Sequence, residues 1–367
     1  MDNKEKKDGK KKTPLLAKII MGLAGAIVLA VIVCVCYVFH FLSLPQYDRD
    51  GMAPSINEEI TTASEEQNTD EWADLPLITA PSTSEGETTS VDYEVKHDED
   101  IYNIILLGAD PRSGYLTDSM IVVSINQKDN SIKMTSFMRD MLVTIPGYAP
   151  NKLNVVYQRG GMNLLKQVFR ENFEIELYGY VMVDYLSLID VVDALGGVEI
   201  YVSEKIANFL NTSNFIEKEE YRNIIPNATQ TLNGYQVVGY CRQRELGNGY
   251  ESDDFARTQR QRYVLNAIYE KFRTKSLAEI LAVMKEILPL ITTDMTEMQM
   301  LSIATKAING GLGDIEQLRI PINNSYEDYR YQITPNSDIM RVIKFDPEKN
   351  ITKLHEFIFG STTDTAE

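Results

Sequence analysis

The hydrophobic pattern divides the chain into an apolar run, a stretch without periodicity and a long alternating region. Residues 19–42 are dominated by apolar side chains and carry no Asp, Glu, Lys or Arg. At about 1.5 Å per residue they are long enough to cross a hydrocarbon core of about 30 Å, which predicts a transmembrane helix. The run exceeds the apolar segment of a cleaved leader, and no small-x-small cleavage pattern follows before Pro45. Residues 1–18 hold seven lysines and three acids, whereas residues 43–97 hold thirteen acids and two bases. The positive-inside rule therefore predicts a basic cytoplasmic tail (1–18) and an extracytoplasmic body. Residues 43–97, rich in Ser, Thr, Glu and Pro, read as a disordered acidic linker.

From residue 101 the pattern is that of a folded domain. IYNIILLG, MIVVSIN and SIKMTSF are strand-like, and QKDNS predicts a hairpin between the last two. A helix is expected over 162–173, a strand over 178–183, a helix over 186–195 closed by Gly196-Gly197, and a strand over 198–202. The polar stretch that follows reads as irregular. TLNGYQVVGYC predicts a short helix, 253–272 a long charged one, and 276–288 and 296–308 two amphipathic ones, with Met295, Met298 and Met300 as core packing. Residues 315–322 read as a strand added to the sheet, and Tyr326, Tyr329 and Tyr331 in YEDYRYQ as a surface strand or loop. The alternation predicts an α/β domain whose mixed sheet is covered by helices. Its core runs over 98–273, with 274–367 adding helices and strands to the same domain.

Composition narrows the chemistry. The chain has 367 residues, 53 acidic and 36 basic, for a formal charge of −17; this argues against nucleic acid as a partner. Cys34 and Cys36 lie in the apolar run, which leaves Cys241 as a core residue and excludes a disulfide framework. With His40, His97 and His355 the only histidines, a Ser-His-Asp triad or a His-rich metal centre lacks its parts. Carboxylates, arginines and lysines must carry any chemistry.

Three clusters set arginine against this acidic background. Gly108-Ala109-Asp110-Pro111-Arg112 ends an apolar strand and Asp118 precedes the next apolar run, a place where α/β sheets hold ligands. Asp110 and Asp118 suit either strand-end turns or a hard cation such as magnesium. Phe137-Met138-Arg139-Asp140 puts Arg139 at another strand end, as a surface partner of Asp140 or as a ligand-facing cation. The densest cluster joins Arg242 and Arg244 to the run from Asp253 to Arg262. On a helix Asp254, Arg257 and Gln261 share a face, and Arg260 lies about a sixth of a turn from Arg257. That face is either a solvated ion-pair array or a set of guanidinium forks for phosphate oxygens. RGGMN, with Gly160 and Gly161, lacks the lysine and glycine spacing of a phosphate loop.

In order, NIILLGADPR, TDSMIVVSIN, SFMRDMLVTIPG, KLNVVYQRGG, VDYLSLIDVVDALGGVEIYV, LNGYQVVGYCRQR and DDFARTQRQ resemble the LytR-CpsA-Psr family of cell-envelope proteins over 101–273. The resemblance implies an α/β/α sandwich with an apolar prenyl pocket. It implies a phosphotransferase moving a glycopolymer, such as teichoic acid or capsule, from a polyprenyl-pyrophosphate carrier to a peptidoglycan hydroxyl. The family's magnesium-linked aspartates fall on Asp110 and Asp118. Its pyrophosphate-binding residues fall on Arg112, Arg139, Arg242, Arg244, Arg257, Arg260 and Gln261. Asp254, Arg139 and Arg257 are the catalytic candidates, with Asp254 as base, and Lys152 and Asn154 of the KLN motif position their loop. The bilayer and peptidoglycan follow as partners. One position departs: Leu116 stands where the family commonly has an arginine, so that phosphate contact is absent or comes from elsewhere. The same site also suits a pyrophosphatase, or an anchored module that binds the carrier without turnover.

Overall fold

The computed structural model describes residues 46–47, 74–80, 95–110, 114–129, 131–243, 253–275, 277–296, 298–300, 303 and 315–360. The expected tail (1–18) and transmembrane helix (19–42) lie outside them. Among the described residues no helix is long and apolar enough to cross a membrane.

The elements run β1 (Gln46–Tyr47), β2 (Leu77–Thr79), β3 (Ile101–Asp110), β4 (Leu116–Asn126), β5 (Ile132–Phe137), β6 (Leu142–Ile145) and β7 (Tyr148–Lys152). There follow α1 (Val156–Phe173), β8 (Gly179–Asp184), α2 (Tyr185–Ala194), β9 (Val198–Val202), α3 (Glu204–Thr212), β10 (Ala228–Leu232) and α4 (Gly234–Arg242). The chain closes with α5 (Asp253–Arg273), α6 (Leu277–Ile287), β11 (Thr292–Thr293), β12 (Ile315–Ile320), β13 (Tyr326–Gln332), β14 (Met340–Phe345) and α7 (Pro347–Phe359).

The central sheet has the order β1-β11-β8-β3-β4-β5-β12. It is mixed: β3 pairs antiparallel with β4 and parallel with β8, and β12 adds in parallel to β5. Alternation along β3 separates two faces. Ile105 and Leu107 join Phe137 and the α1 residues Leu165, Phe169 and Phe173, and α7 closes this core with Leu354 and Ile358. Ile104 and Leu106 face the other way, toward Met295 and Val181. On that side Val181 and Val183 of β8 pack with Val191 and Leu195 of α2 and with Val283 and Ile287 of α6. Helices thus cover both faces of a mixed α/β sheet.

Four features differ from the expectations. The helix expected over 162–173 begins at Val156, because helical hydrogen bonding continues across a kink where Gly160 and Gly161 leave helical geometry, Gly161 at φ 61°. The stretch expected to be irregular contains α3 and β10; β10 pairs antiparallel with β9, and α3 buries just Ile206, Ala207 and Leu210. Within the expected linker, β1 pairs with β11 and β2 with β13, both in parallel. Tyr331 is buried rather than superficial, its hydroxyl donating to the Pro150 carbonyl at 2.8 Å.

The tightest helix contact tests this packing. Gly234 opens α4 so close to α2 that an added Cβ would stand 2.3 Å from the Ile189 carbonyl oxygen. Gly234→Ala is expected to cost about 1–3 kcal/mol, measured as a lower urea midpoint with an unchanged slope.

Candidate active site

The carboxyl ends of the parallel strands β3 and β8 open on a cavity of about 1850 Å³, lined there by Gly108, Ala109, Val183 and Asp184. Its charged part is organised by Asp140. Lys152 Nζ lies 2.7 Å from Asp140 Oδ1, and Arg139 Nε lies 3.5 Å from Asp140 Oδ2. Arg139 Nη1 in turn donates to Asp118 Oδ1 at 2.5 Å. Local backbone bonds bring these groups together. The Asn154 N–H donates to the Arg139 carbonyl and the Leu153 N–H to the Met141 carbonyl, so the KLN segment is stitched to the loop that leaves β5. Burial would raise the Asp140 carboxyl, but Lys152 and Arg139, with Arg257 behind them, outweigh it and hold it at about 2.

Helix α5 grades the cavity from polar to apolar. Arg257 and Gln261 line it first, then Val264, Leu265, Ile268 and Phe272. From Arg257 to Phe272 this is about 22 Å of helix. Val191, Ile287 and Ile291 extend the apolar lining. Arg242 enters from the end of α4, 3.9 Å from Glu217. Cys241 also touches the cavity; burial pushes its thiol up to about 12, which leaves it protonated and unreactive.

Of the residues expected to form a site, the structure brings together Asp118, Arg139, Arg242, Arg257 and Gln261. Arg260 does not line this cavity. It is 1% exposed and donates to the Gln243 carbonyl, because a helix end leaves unbonded carbonyls that favour a cation and the one closing α4 lies within its reach. Arg112 and Arg244 lie outside the described residues. Asp110 closes β3 and Asp254 lies in the first turn of α5, with the side chains of both outside what is described. Sequence reasoning missed the organising role of Asp140, the cavity positions of Gln158 and Arg159, and the contribution of Gln332 at the end of β13 and of Ser337 and Asp338 just after it. The KLN motif implies no more than loop positioning for Lys152, yet its ammonium is part of the charged network.

The donors at the cavity bear on magnesium. Among the described residues no group of three His, Cys, Asp or Glu side chains is arranged to hold a metal. Asp118 presents one carboxylate at the cavity, already engaged by Arg139. A single carboxylate is compatible with magnesium that takes its other ligands from phosphate and water.

This geometry coincides with a family pattern. The profile of the LytR_cpsA_psr family matches residues 66–345, three-quarters of the chain. The chain belongs to the LytR-CpsA-Psr family. It is 31% identical to the regulatory protein MsrR of Staphylococcus aureus over 242 residues, 64% of this chain and 68% of MsrR. It is 30% identical over 190 residues to TagT of Bacillus subtilis, named a polyisoprenyl-teichoic acid–peptidoglycan teichoic acid transferase, covering 50% of this chain and 55% of TagT. A solved structure of TagT with bound octaprenyl pyrophosphate lipid shares the fold, at a TM-score of 0.53 and 22% identity, over 72% of this chain and 93% of that one. The LytR-CpsA-Psr match begins before β2, which places that strand within the family's extent.

The Asp140 network has a pH signature. Its carboxyl is lower in the folded chain, about 2, than its ordinary 3.8. It therefore contributes stability that is complete above pH about 4 and is lost as pH falls toward 2, on the order of 2 kcal/mol. Asp140→Asn is expected to remove this acid limb. It should also lower stability at pH 7, since Arg139 and Lys152 lose a shared partner. Urea unfolding at pH 3, 5 and 7 reads both effects.

Proposed function

We propose that this chain transfers a glycopolymer from a polyprenyl-pyrophosphate carrier to a hydroxyl of peptidoglycan, joining them by a phosphodiester. The observation that carries the reading is the grading of one cavity along α5, from Arg257 and Gln261 to Ile268 and Phe272. A prenyl diphosphate has the same two-part chemistry: an apolar tail and a compact anion.

In this reading Arg139, Lys152, Arg242, Arg257 and Gln261 bind the diphosphate. Guanidinium forks and the ammonium offset the charge that develops on the departing prenyl phosphate, where fixed donors act mainly by electrostatics and positioning. Arg112 and Arg244 belong to the same set. Asp140 positions Arg139 and Lys152. Asp254 takes the proton of the acceptor hydroxyl as that oxygen bonds to phosphorus and the carrier-side phosphate leaves. Asp118, with Asp110, would hold magnesium, which supplies further neutralisation of phosphate charge. Arg260 serves the scaffold through Gln243. Residues 19–42 anchor the chain in a bilayer with the domain on the extracytoplasmic side, where the lipid carrier and the wall meet.

The test uses the full chain in lipid vesicles with a polyprenyl-pyrophosphate-linked saccharide, peptidoglycan and magnesium, following carrier release and saccharide attachment separately. Attachment is expected, with a loss of about 100-fold or more in Arg257→Ala and Arg139→Ala. Release without attachment would replace the transferase with a pyrophosphatase. Binding without release would replace it with a carrier-binding module. Attachment that persists with a chelator would remove magnesium from the reading, and undiminished transfer by Asp254→Asn would remove that base.

A further inference from the structure

Lys152 and Asp140 meet from different loops, and one small sheet grips both. Its strand order is β14-β13-β2. From β14, the Ile343 N–H donates to the Asp140 carbonyl at 2.8 Å, and Ile343 bridges in parallel to Met141. From β13, the Tyr331 hydroxyl donates to the carbonyl of Pro150, two residues before Lys152. Tyr331 is itself fixed on both sides, paired in register with Met340 of β14 and Ile78 of β2.

The hairpin that ends in Lys152 needs such a hold. Its strands β6 and β7 pair Leu142 with Lys152, Val143 with Asn151 and Ile145 with Tyr148, so that Ala149 and Pro150 stand against Thr144 alone. A bulge of this kind interrupts the ladder and re-aims the chain beyond it. Side chains from outside the hairpin take over the backbone groups at that point. Asn172 of α1 meets both the N–H and the carbonyl of Thr144, each at 2.9 Å, and Tyr331 meets Pro150. Tyr331 is 1% exposed, at a position where a phenyl ring would avoid the cost of burying a hydroxyl. What the hydroxyl contributes is the bond to the strand that carries Lys152. Beyond Lys152 the Leu153 and Asn154 N–H groups are bonded to the Met141 and Arg139 carbonyls, so the ammonium is carried between two fixed points.

We infer that Tyr331 is a positioning residue for the diphosphate site, acting through Lys152: it holds the end of β7 where the ammonium reaches both Asp140 and the cavity. Tyr331 does not line the cavity, so it acts on a ligand through what it holds. The backbone of Asp140 is set by β14 and that of Lys152 by β13, and the 2.7 Å between their charged atoms is thereby defined within one sheet. The consequence for carrier binding rests on the transferase reading; the hold on Lys152 does not.

The test is Tyr331→Phe in the full chain in lipid vesicles, which keeps the ring and removes the hydroxyl. Two quantities are read: the affinity for polyprenyl diphosphate, and the titration of the Asp140 carboxyl by NMR of isotope-labelled aspartate. Affinity is expected to fall about three- to tenfold, the scale of one hydrogen bond. The Asp140 carboxyl should rise from about 2 toward its ordinary 3.8, because burial pushes it up and Lys152, the strongest of the charges opposing that beside Arg139 and Arg257, draws back. In a Lys152→Met background Tyr331→Phe should change affinity by less than about twofold, the non-additivity of a residue that acts through its neighbour. An Asp140 titration that does not move would overturn the inference, and so would an equal loss of affinity in both backgrounds, which is what a general loosening of the fold produces. Failure of the unmodified chain to bind the carrier would overturn the transferase reading and with it the role in binding, and the Asp140 titration alone would then decide whether Tyr331 holds Lys152.

Discussion

Two cations can be held side by side in a partly buried cavity only if a carboxylate lies between them, and Asp140 is that carboxylate. It draws Arg139 from the end of β5 and Lys152 from the end of β7 onto its two oxygens. The cost of burying it is offset by their fields, which is why its proton is lost so readily. The KLN backbone bonds to the same loop, so the first turn of α1 is oriented from the same place. Preorganisation here means that the positive charges are already balanced by a fixed partner before any ligand arrives.

Helix α5 depends on this arrangement from the other side of the cavity. Its Arg257 adds to the field on Asp140, while the lining residues two to four turns further on are apolar. A second side of the helix carries Phe255, whose ring centroid lies 4.0 Å from the guanidinium of Arg319 in β12. The helix is thus clamped to the sheet edge by one side and turns the other to the cavity. Arg260, between these two sides, is taken up by the end of α4 through Gln243.

The strands from 101 to 137 were legible as apolar or alternating runs bounded by turn formers, and the hairpin at 127–131 follows directly. Helix α3 was not, since three buried side chains in a polar segment leave little periodicity to read. β2 has no local signal at all: its partner is β13, some 250 residues away in sequence. The site divides in the same way. Arg139 and Arg257 were legible as cations against an acidic background, Asp118 by its place at a strand end, and Gln261 by the helical face it shares with Arg257. Arg260 was misplaced because helical spacing describes a face but not the carbonyl that waits beside it. Arg159 gave no signal, because which side chains meet at a cavity is a property of the fold and not of neighbours in the chain.

The finite length of the graded wall bears on what the protein can measure. About 22 Å separates Arg257 from Phe272, and the cavity holds about 1850 Å³ in all. A prenyl tail longer than this would pass Phe272, the last residue of α5 that lines the cavity. In the transferase reading, the described wall therefore reads the carrier by its head and the first part of its tail.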